Sequence, residues 1–277
     1  MSRPLRSKLA QETVALCDTG RYVTPSGRQI EIGPAIRESV ANTAIYSPET
    51  LADISIGELR RDTKLEVTDE TTITAARRLA SEQGEHLACL NFASAKNPGG
   101  GFLGGSEAQE ESLARSSGLY PCLLAAPEYY GRNRACRTTL YLDLAIWSPN
   151  VPFFRDDTGA LLDEPFHTSV ITAPAPNAGA VASNEPARVV EIEPTLRRRA
   201  ELVIKVAAAR DVRRLILGAW GCGVFRNDPR LVARVFSDLL TPSAEFAGVF
   251  DQVVFAIYDR SAEKAVVRIF EEVFAGT

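Results

Sequence analysis

Two adjacent carboxylates, Glu110 and Glu111, stand close behind a run of glycines, and this is the part of the chain best equipped for chemistry. The run is Asn97-Pro98-Gly99-Gly100-Gly101-Phe102-Leu103-Gly104-Gly105. Glycine lets backbone approach a ligand closely, and amides at a helix start form an anion site. The spacing predicts a helix over Ser106–Ser117, ended by Gly118. Ser106 as N-cap with Gln109 three residues later fits a capping box, which gives Gln109 a structural job as readily as a substrate contact. Neighbouring helix residues diverge by about 100°, so Glu110 and Glu111 point differently and suit different roles. An adjacent Glu pair is by default a solvated helix face, and the glycines alone do not change that.

A second glycine loop, Gly218-Ala219-Trp220-Gly221-Cys222-Gly223-Val224-Phe225, follows another apolar run. Neither loop continues into GK[ST], so neither is a P-loop. Either one alone reads most simply as a tight turn. Together, at the ends of strands of one sheet, they could clasp a diphosphate from two sides.

The elements that must position these loops are legible. Leu65–Thr68, Leu87–Phe92, Leu140–Trp147, Thr168–Ala173, Arg214–Leu217 and Gln252–Ile257 read as strands. Glu70–Gln83 (ended by Gly84), Thr195–Arg210, Pro229–Leu240 and Ala262–Phe274 read as helices. Val151–Phe154 and Ala160–Leu162 flank a small hairpin turn. Apolar strands between amphipathic helices indicate an α/β fold whose sheet is covered on both faces. The first residues differ: a helix over Ser2–Thr19, a hairpin around Pro25-Ser26-Gly27-Arg28, and a second helix from Pro34 to about Ala44. We divide the chain into residues 1–60, an N-terminal helical extension packed on a core, and 61–277, the core itself.

Composition narrows the chemistry. Hydrophobic residues make up 45% and charged ones 24% of the chain, enough for a full core. The five cysteines are odd in number and without CxxC, which argues against a disulfide framework or structural zinc. Only His86 and His167 are available for a histidine-based mechanism, and neither has other support. The net charge of −4 carries no broad basic footprint for nucleic acid, and Arg197–Arg199 reads as the wet face of a helix. No span of ~18 apolar residues suggests a membrane helix, and without a signal-peptide core the expected address is the cytoplasm.

Gly99-Gly100-Gly101, seven residues, then Gln109-Glu110-Glu111 is similar to the GGG-x(6–8)-QEE signature of poly(ADP-ribose) glycohydrolases. Asn91–Pro98 and Gly118-Leu119-Tyr120-Pro121 resemble the bacterial branch, and Gly218–Phe225 resembles its second phosphate loop. The resemblance covers roughly residues 60–277. It implies a macrodomain-like three-layer α/β/α sandwich with a mixed sheet and an N-terminal helical extension. It implies Glu111 as the catalytic residue and Glu110 at the ribose hydroxyls of the scissile linkage. Asn97, Gly99, Gly100, Gly101, Gln109, Gly218, Gly221, Cys222, Gly223, Val224 and Phe225 would hold the diphosphate and terminal ribose. Adenine would lie near Thr68, Asp69 and Glu70, and near Phe255 or Tyr258. Poly(ADP-ribose) would be the substrate and ADP-ribose the product, with ADP-ribosylated proteins as carriers and a setting in the DNA damage response. No cofactor, metal, direct DNA contact or membrane is implied. Negative charge on Glu110 and on the bound diphosphate would favour the protonated form of Glu111. A non-catalytic ADP-ribose-binding macrodomain, or a hydrolase of mono-ADP-ribosyl protein or O-acetyl-ADP-ribose, are the alternatives; neither needs the QEE helix.

Overall fold

A computed structural model describes residues 1–52, 62–82, 86–241 and 244–275. In chain order the first segment holds α1 (Arg3–Thr19), a two-stranded hairpin of β1 (Arg21–Val23) and β2 (Gln29–Glu31), α2 (Gly33–Ala41), β3 (Ala44–Tyr46) and α3 (Pro48–Leu51). The chain continues through β4 (Lys64–Thr68), α4 (Thr72–Glu82), β5 (Leu87–Phe92), α5 (Gln109–Ser116), α6 (Leu119–Leu124) and α7 (Pro127–Ala135). It ends with β6 (Ala145–Arg155), β7 (Leu161–Ala173), α8 (Ala178–Asn184), α9 (Ile192–Ala209), β8 (Arg214–Leu217), α10 (Pro229–Leu240), β9 (Gln252–Ala256) and α11 (Ala265–Phe274).

Seven strands form one mixed sheet in the order β3-β6-β7-β5-β8-β9-β4. The five strands from β7 to β4 are parallel, while β3 and β6 pair antiparallel at one edge. The period of two along each strand divides the core. Ala88, Leu90, Val253 and Phe255 pack under α9, α10 and α11. Leu87, Cys89, Val254 and Ala256 pack under α4, α5, α6 and α7. This is the expected α/β/α sandwich: both faces of the parallel strands are buried, so their sequences read apolar throughout. Registers Phe92↔Ala173, Leu217↔Phe255 and Thr68↔Ala256 bring the strands' carboxyl ends to one edge, where the glycine loops emerge.

Several expectations are corrected. The strand expected over Leu140–Trp147 begins only at Ala145, and the small hairpin is the far end of one long β6–β7 ribbon. Ser148-Pro149-Asn150 looks like a break, but it is a bulge between Ser148 and Val151, with Asn150 left-handed, so pairing resumes beyond it. Ala44 belongs to β3, so the first 52 residues lend the sheet an edge strand besides their helices. The 60/61 boundary, and the expected helix end at Gln83 and Gly84, lie outside the described residues.

Arg199 is not on a wet face. It is 0% exposed and donates to Asp143 Oδ1 and to the carbonyls of Pro174, Leu140 and Tyr141. Its charge is compensated inside, while Arg197 and Arg198 reach outward to Asp238 and Asp143. A triple-arginine run hides this difference, because successive helix residues face different ways.

Candidate active site

The helix carrying the carboxylates starts later than expected. Its N-cap is Ala108, with no side-chain cap, so the Ser106–Gln109 capping box does not form. Gln109 instead clamps the end of β5: its Oε1 accepts from the Phe92 amide at 2.8 Å, and its Nε2 donates to Leu90 O at 2.7 Å and Thr72 Oγ1 at 3.1 Å. With its amide so engaged, Gln109 is a fastener and not a free substrate contact. The later start also brings Glu110 and Glu111 into the first turn, where a helix N-terminus favours negative charge.

The two carboxylates diverge as the helix geometry requires. Glu110 is turned inward and 3% exposed, accepting from the Ser94 amide at 2.7 Å and from Asn91 Nδ2 at 3.3 Å. Burial pushes its carboxyl up to about 8, the Glu111 charge adds to this, and the bonds from Ser94 and Asn91 oppose it. Burial thus favours the protonated form of Glu110, which weakens the negative charge expected to protonate Glu111. Beneath it, the buried hydroxyls of Tyr129 and Tyr130 and the Oδ1 of Asn91 find no protein partner among the described residues.

Glu111 is half-buried and faces the glycine loop, where its Oε1 accepts from the Gly101 amide at 2.9 Å. Gly100, at φ 60°, lies directly against the pair. A Cβ there would fall 2.4 Å from Glu111 Oε1 and 3.0 Å from Glu110 Oε2, so a larger residue would push the carboxylates aside. Gly99 is buried beside Phe102. The side-chain amide of Asn97 is exposed, while its carbonyl accepts from Gly100 N to close the turn.

The second loop lies beside this one because β8 pairs with β5. Its glycines serve different ends. Gly218 is pressed against Ala256 O, and Gly221, at φ 72°, against Ala175 and the Asn227 amide. Asn227 Nδ2 donates to Pro176 O and Gly221 O, locking the loop from below. Gly223 has nothing near it, and Val224 is 79% exposed, so this stretch of backbone is open to a ligand. Cys222 is half-buried, and burial pushes its thiol up to about 12, which keeps it from acting as a thiolate. The ring of Phe225 packs 6.0 Å from Tyr141.

The chain is similar to known proteins over nearly its whole length. Residues 10–156 match the family model described as the catalytic domain of microbial-type PARG. The chain belongs to the microbial-type poly(ADP-ribose) glycohydrolases. The crystal structure of the enzyme from Thermomonospora curvata is 47% identical, with a TM-score of 0.92, over 97% of this chain and 99% of that one. The same enzyme bound to the inhibitor ADP-HPD gives 48% and 0.90 over the same shares. The enzyme from Deinococcus radiodurans in complex with ADP-ribose gives 48% and 0.83, over 88% of this chain and 98% of that one. No curated protein matches the chain.

In this glycohydrolase the expected adenine side is partly redrawn. Phe255 is fully buried among Phe236, Phe270 and Phe274, so it cannot meet a base. Tyr258 is 58% exposed, with the Arg260 guanidinium 5.2 Å from its ring centre. Asp69 pairs with Lys264 at 2.9 Å and Glu70 with Arg78 at 2.6 Å, so both carboxylates are already engaged. Among the described residues no group of three or more His, Cys, Asp and Glu could hold a metal ion.

Sequence reasoning missed the supports. Asn91 was signalled as the one polar residue in the apolar run Leu87–Phe92. Ser94, Asn227 and Tyr141 gave no such sign, since their importance arises from contacts between distant segments.

Proposed function

We infer that this poly(ADP-ribose) glycohydrolase cleaves the ribose–ribose O-glycosidic bond with Glu111 as its single acid and base, releasing ADP-ribose. The observation that carries this reading is the placement of Glu111: half-buried against the first glycine loop, with Gly101 fixing Oε1. That leaves Oε2 to carry the proton. Protonated Glu111 delivers it to the leaving ribose oxygen as the glycosidic bond breaks and an oxocarbenium-like centre forms. The resulting carboxylate then takes a proton from the water that adds to that centre, and the acid is restored. The substrate diphosphate, cradled by amides of the two loops, supplies the negative charge that favours the protonated acid and stabilises the cation.

Glu110 holds Ser94 and Asn91 in place as a neutral acid, a positioning role. Asn97, Gly99, Gly100, Gly101, Gly223, Val224 and Phe225 supply the surface for the diphosphate and terminal ribose, while Gly218 and Gly221 allow the close packing that shapes it. Poly(ADP-ribose) carried on modified proteins is the substrate this site suits.

The test compares wild type with Glu111→Ala on purified poly(ADP-ribose), following free ADP-ribose, with calorimetric binding of ADP-ribose in parallel. Turnover in the wild type, a loss of about 10²–10⁴-fold in the mutant and retained binding are expected. Binding without release by the wild type would reduce the protein to a reader of ADP-ribose.

A further inference from the structure

Outside the pair of loops, one rim of the cleft gathers cations that this acidic protein does not neutralise. Lys96 stands at the entry of the first loop, and its ammonium lies 6.0 Å from the ring centre of Tyr141. Arg134, at the end of α7, donates to the Lys96 carbonyl at 2.7 Å, which keeps its guanidinium on the same rim. Tyr141 reaches across to Phe225 at 6.0 Å, and Arg226 follows Phe225 directly. The stem of Arg226 packs over Gly179, whose amide donates to the Phe225 carbonyl at 3.0 Å. Lys96, Tyr141, Phe225 and Arg226 thus bridge the first loop to the second.

Two features mark the rim as a built surface. No described carboxylate forms an ion pair with Lys96, Arg134 or Arg226, so three cations gathered on one rim stay open to an anion. Tyr141, at the centre, is a non-glycine residue in the left-handed region at φ 62°. Such backbone persists only where its surroundings enforce it. Here the buried Arg199 enforces it by holding the carbonyls of Leu140 and Tyr141.

We propose that Lys96, Arg134 and Arg226 form a subsite for the diphosphate of the second ADP-ribose unit, the part of the chain that departs when the bond at Glu111 breaks. This rests on the glycohydrolase reading above. The terminal unit has its own amide-lined cradle, so a further cationic rim beside the scissile bond serves the polymer and not the free product. Each repeating unit carries a diphosphate, and the three cations are enough to neutralise its two negative charges. Arginine suits phosphate because its planar fork donates two parallel bonds. The Tyr141 and Phe225 rings supply a wall for the two joined riboses between the diphosphates.

The test uses the full chain with Lys96→Ala, Arg134→Ala and Arg226→Ala combined. The KM for long poly(ADP-ribose) is expected to rise at least tenfold. Its logarithmic salt dependence should flatten by about 1.4, from roughly 0.7 for each of the two phosphates no longer neutralised. The calorimetric Kd for monomeric ADP-ribose should stay within twofold, since one unit fills only the terminal cradle. Polymer binding is also read in the Glu111→Ala background, with and without the triple change. A deficit there supports the subsite even without turnover, and so separates its failure from that of the glycohydrolase reading. Unchanged KM and salt slope would overturn the proposal. So would a parallel loss of monomer affinity, which would assign these cations to the terminal unit. If the triple variant misfolds, the charge-neutral changes Lys96→Gln and Arg226→Gln give the same readout singly.

Discussion

Gly101 and Glu111 are joined by a 2.9 Å hydrogen bond that runs from the loop amide to the carboxylate of the helix it precedes. The bond ties the cradle to the acid, so the loop cannot shift without moving Oε1. A ligand that orders the loop therefore also orders the proton donor, an arrangement that joins binding to chemistry.

Gly100→Ala tests that closeness. The added methyl would sit 2.4 Å from Glu111 Oε1, at a φ of 60° that disfavours any side chain. Backbone strain of about 1–2 kcal/mol and a displaced carboxylate should lower turnover about 100-fold. Gly104→Ala, with nothing within 4 Å of its Cβ, is the matched control. Equal activity of the two variants in steady-state assays would show that the contact does not matter.

Glu110→Gln tests the buried acid. The folded protein holds the Glu110 proton up to about pH 8, whereas its ordinary value is 4.5. Between those values the native state binds more protons than the unfolded one, so this group favours folding most below pH 4.5 and progressively less as pH rises to about 8. Glutamine keeps an acceptor for Ser94 and has no proton to lose. Urea unfolding at pH 5 and pH 8.5 should show the wild type losing stability relative to the variant. Parallel pH profiles for the two proteins would mean that Glu110 is ionised in the fold.

Arg199→Leu removes the guanidinium that holds Asp143, Pro174, Leu140 and Tyr141. Leaving a mostly buried carboxylate and several carbonyls without a donor costs about 3–5 kcal/mol, toward the lower end because Asp143 retains some solvent contact. Arg198→Ala, at a solvent-exposed pair, should cost about 0–1 kcal/mol. Denaturant midpoints read both, and similar losses would contradict the difference in burial.

The N-terminal helix is expected to hold the catalytic loop still. Arg3 donates to Gly104 O, Arg6 to Gly105 O and Ser7 to Leu103 O, while Arg6 and Arg260 both pair with Glu107. Replacing Arg6 and Ser7 together with alanine should cost about 1–3 kcal/mol. It should also speed amide exchange across Phe102–Gly105 more than in the sheet. Uniform exchange changes would reduce α1 to a general packing element.

Much of this protein was written locally. The apolar strand Leu87–Phe92 and the helices Pro229–Leu240 and Ser2–Thr19 follow from short-range pattern and punctuation, and the structure places them within a residue or two. The glycine run and Gln109-Glu110-Glu111 marked the site for the same reason: their function depends on residue type and spacing along one loop and helix. Where local signals competed, the reading slipped. The strand expected to stop at Trp147 runs on through the bulge between Ser148 and Val151, and Ser106 resembled a cap but leaves the helix to start at Gln109.

The sequence by itself determined the sandwich, the two loops at one edge and the glutamate pair, because periodicity and glycine placement act over neighbouring residues. Only the tertiary structure decided which glutamate is buried, that Gln109 is a clamp, that Arg199 is a buried anchor and that Phe255 is core. Each of these turns on which distant segment a side chain meets, and burial and hydrogen-bond partners come from packing across the sheet, which spacing along the chain does not encode.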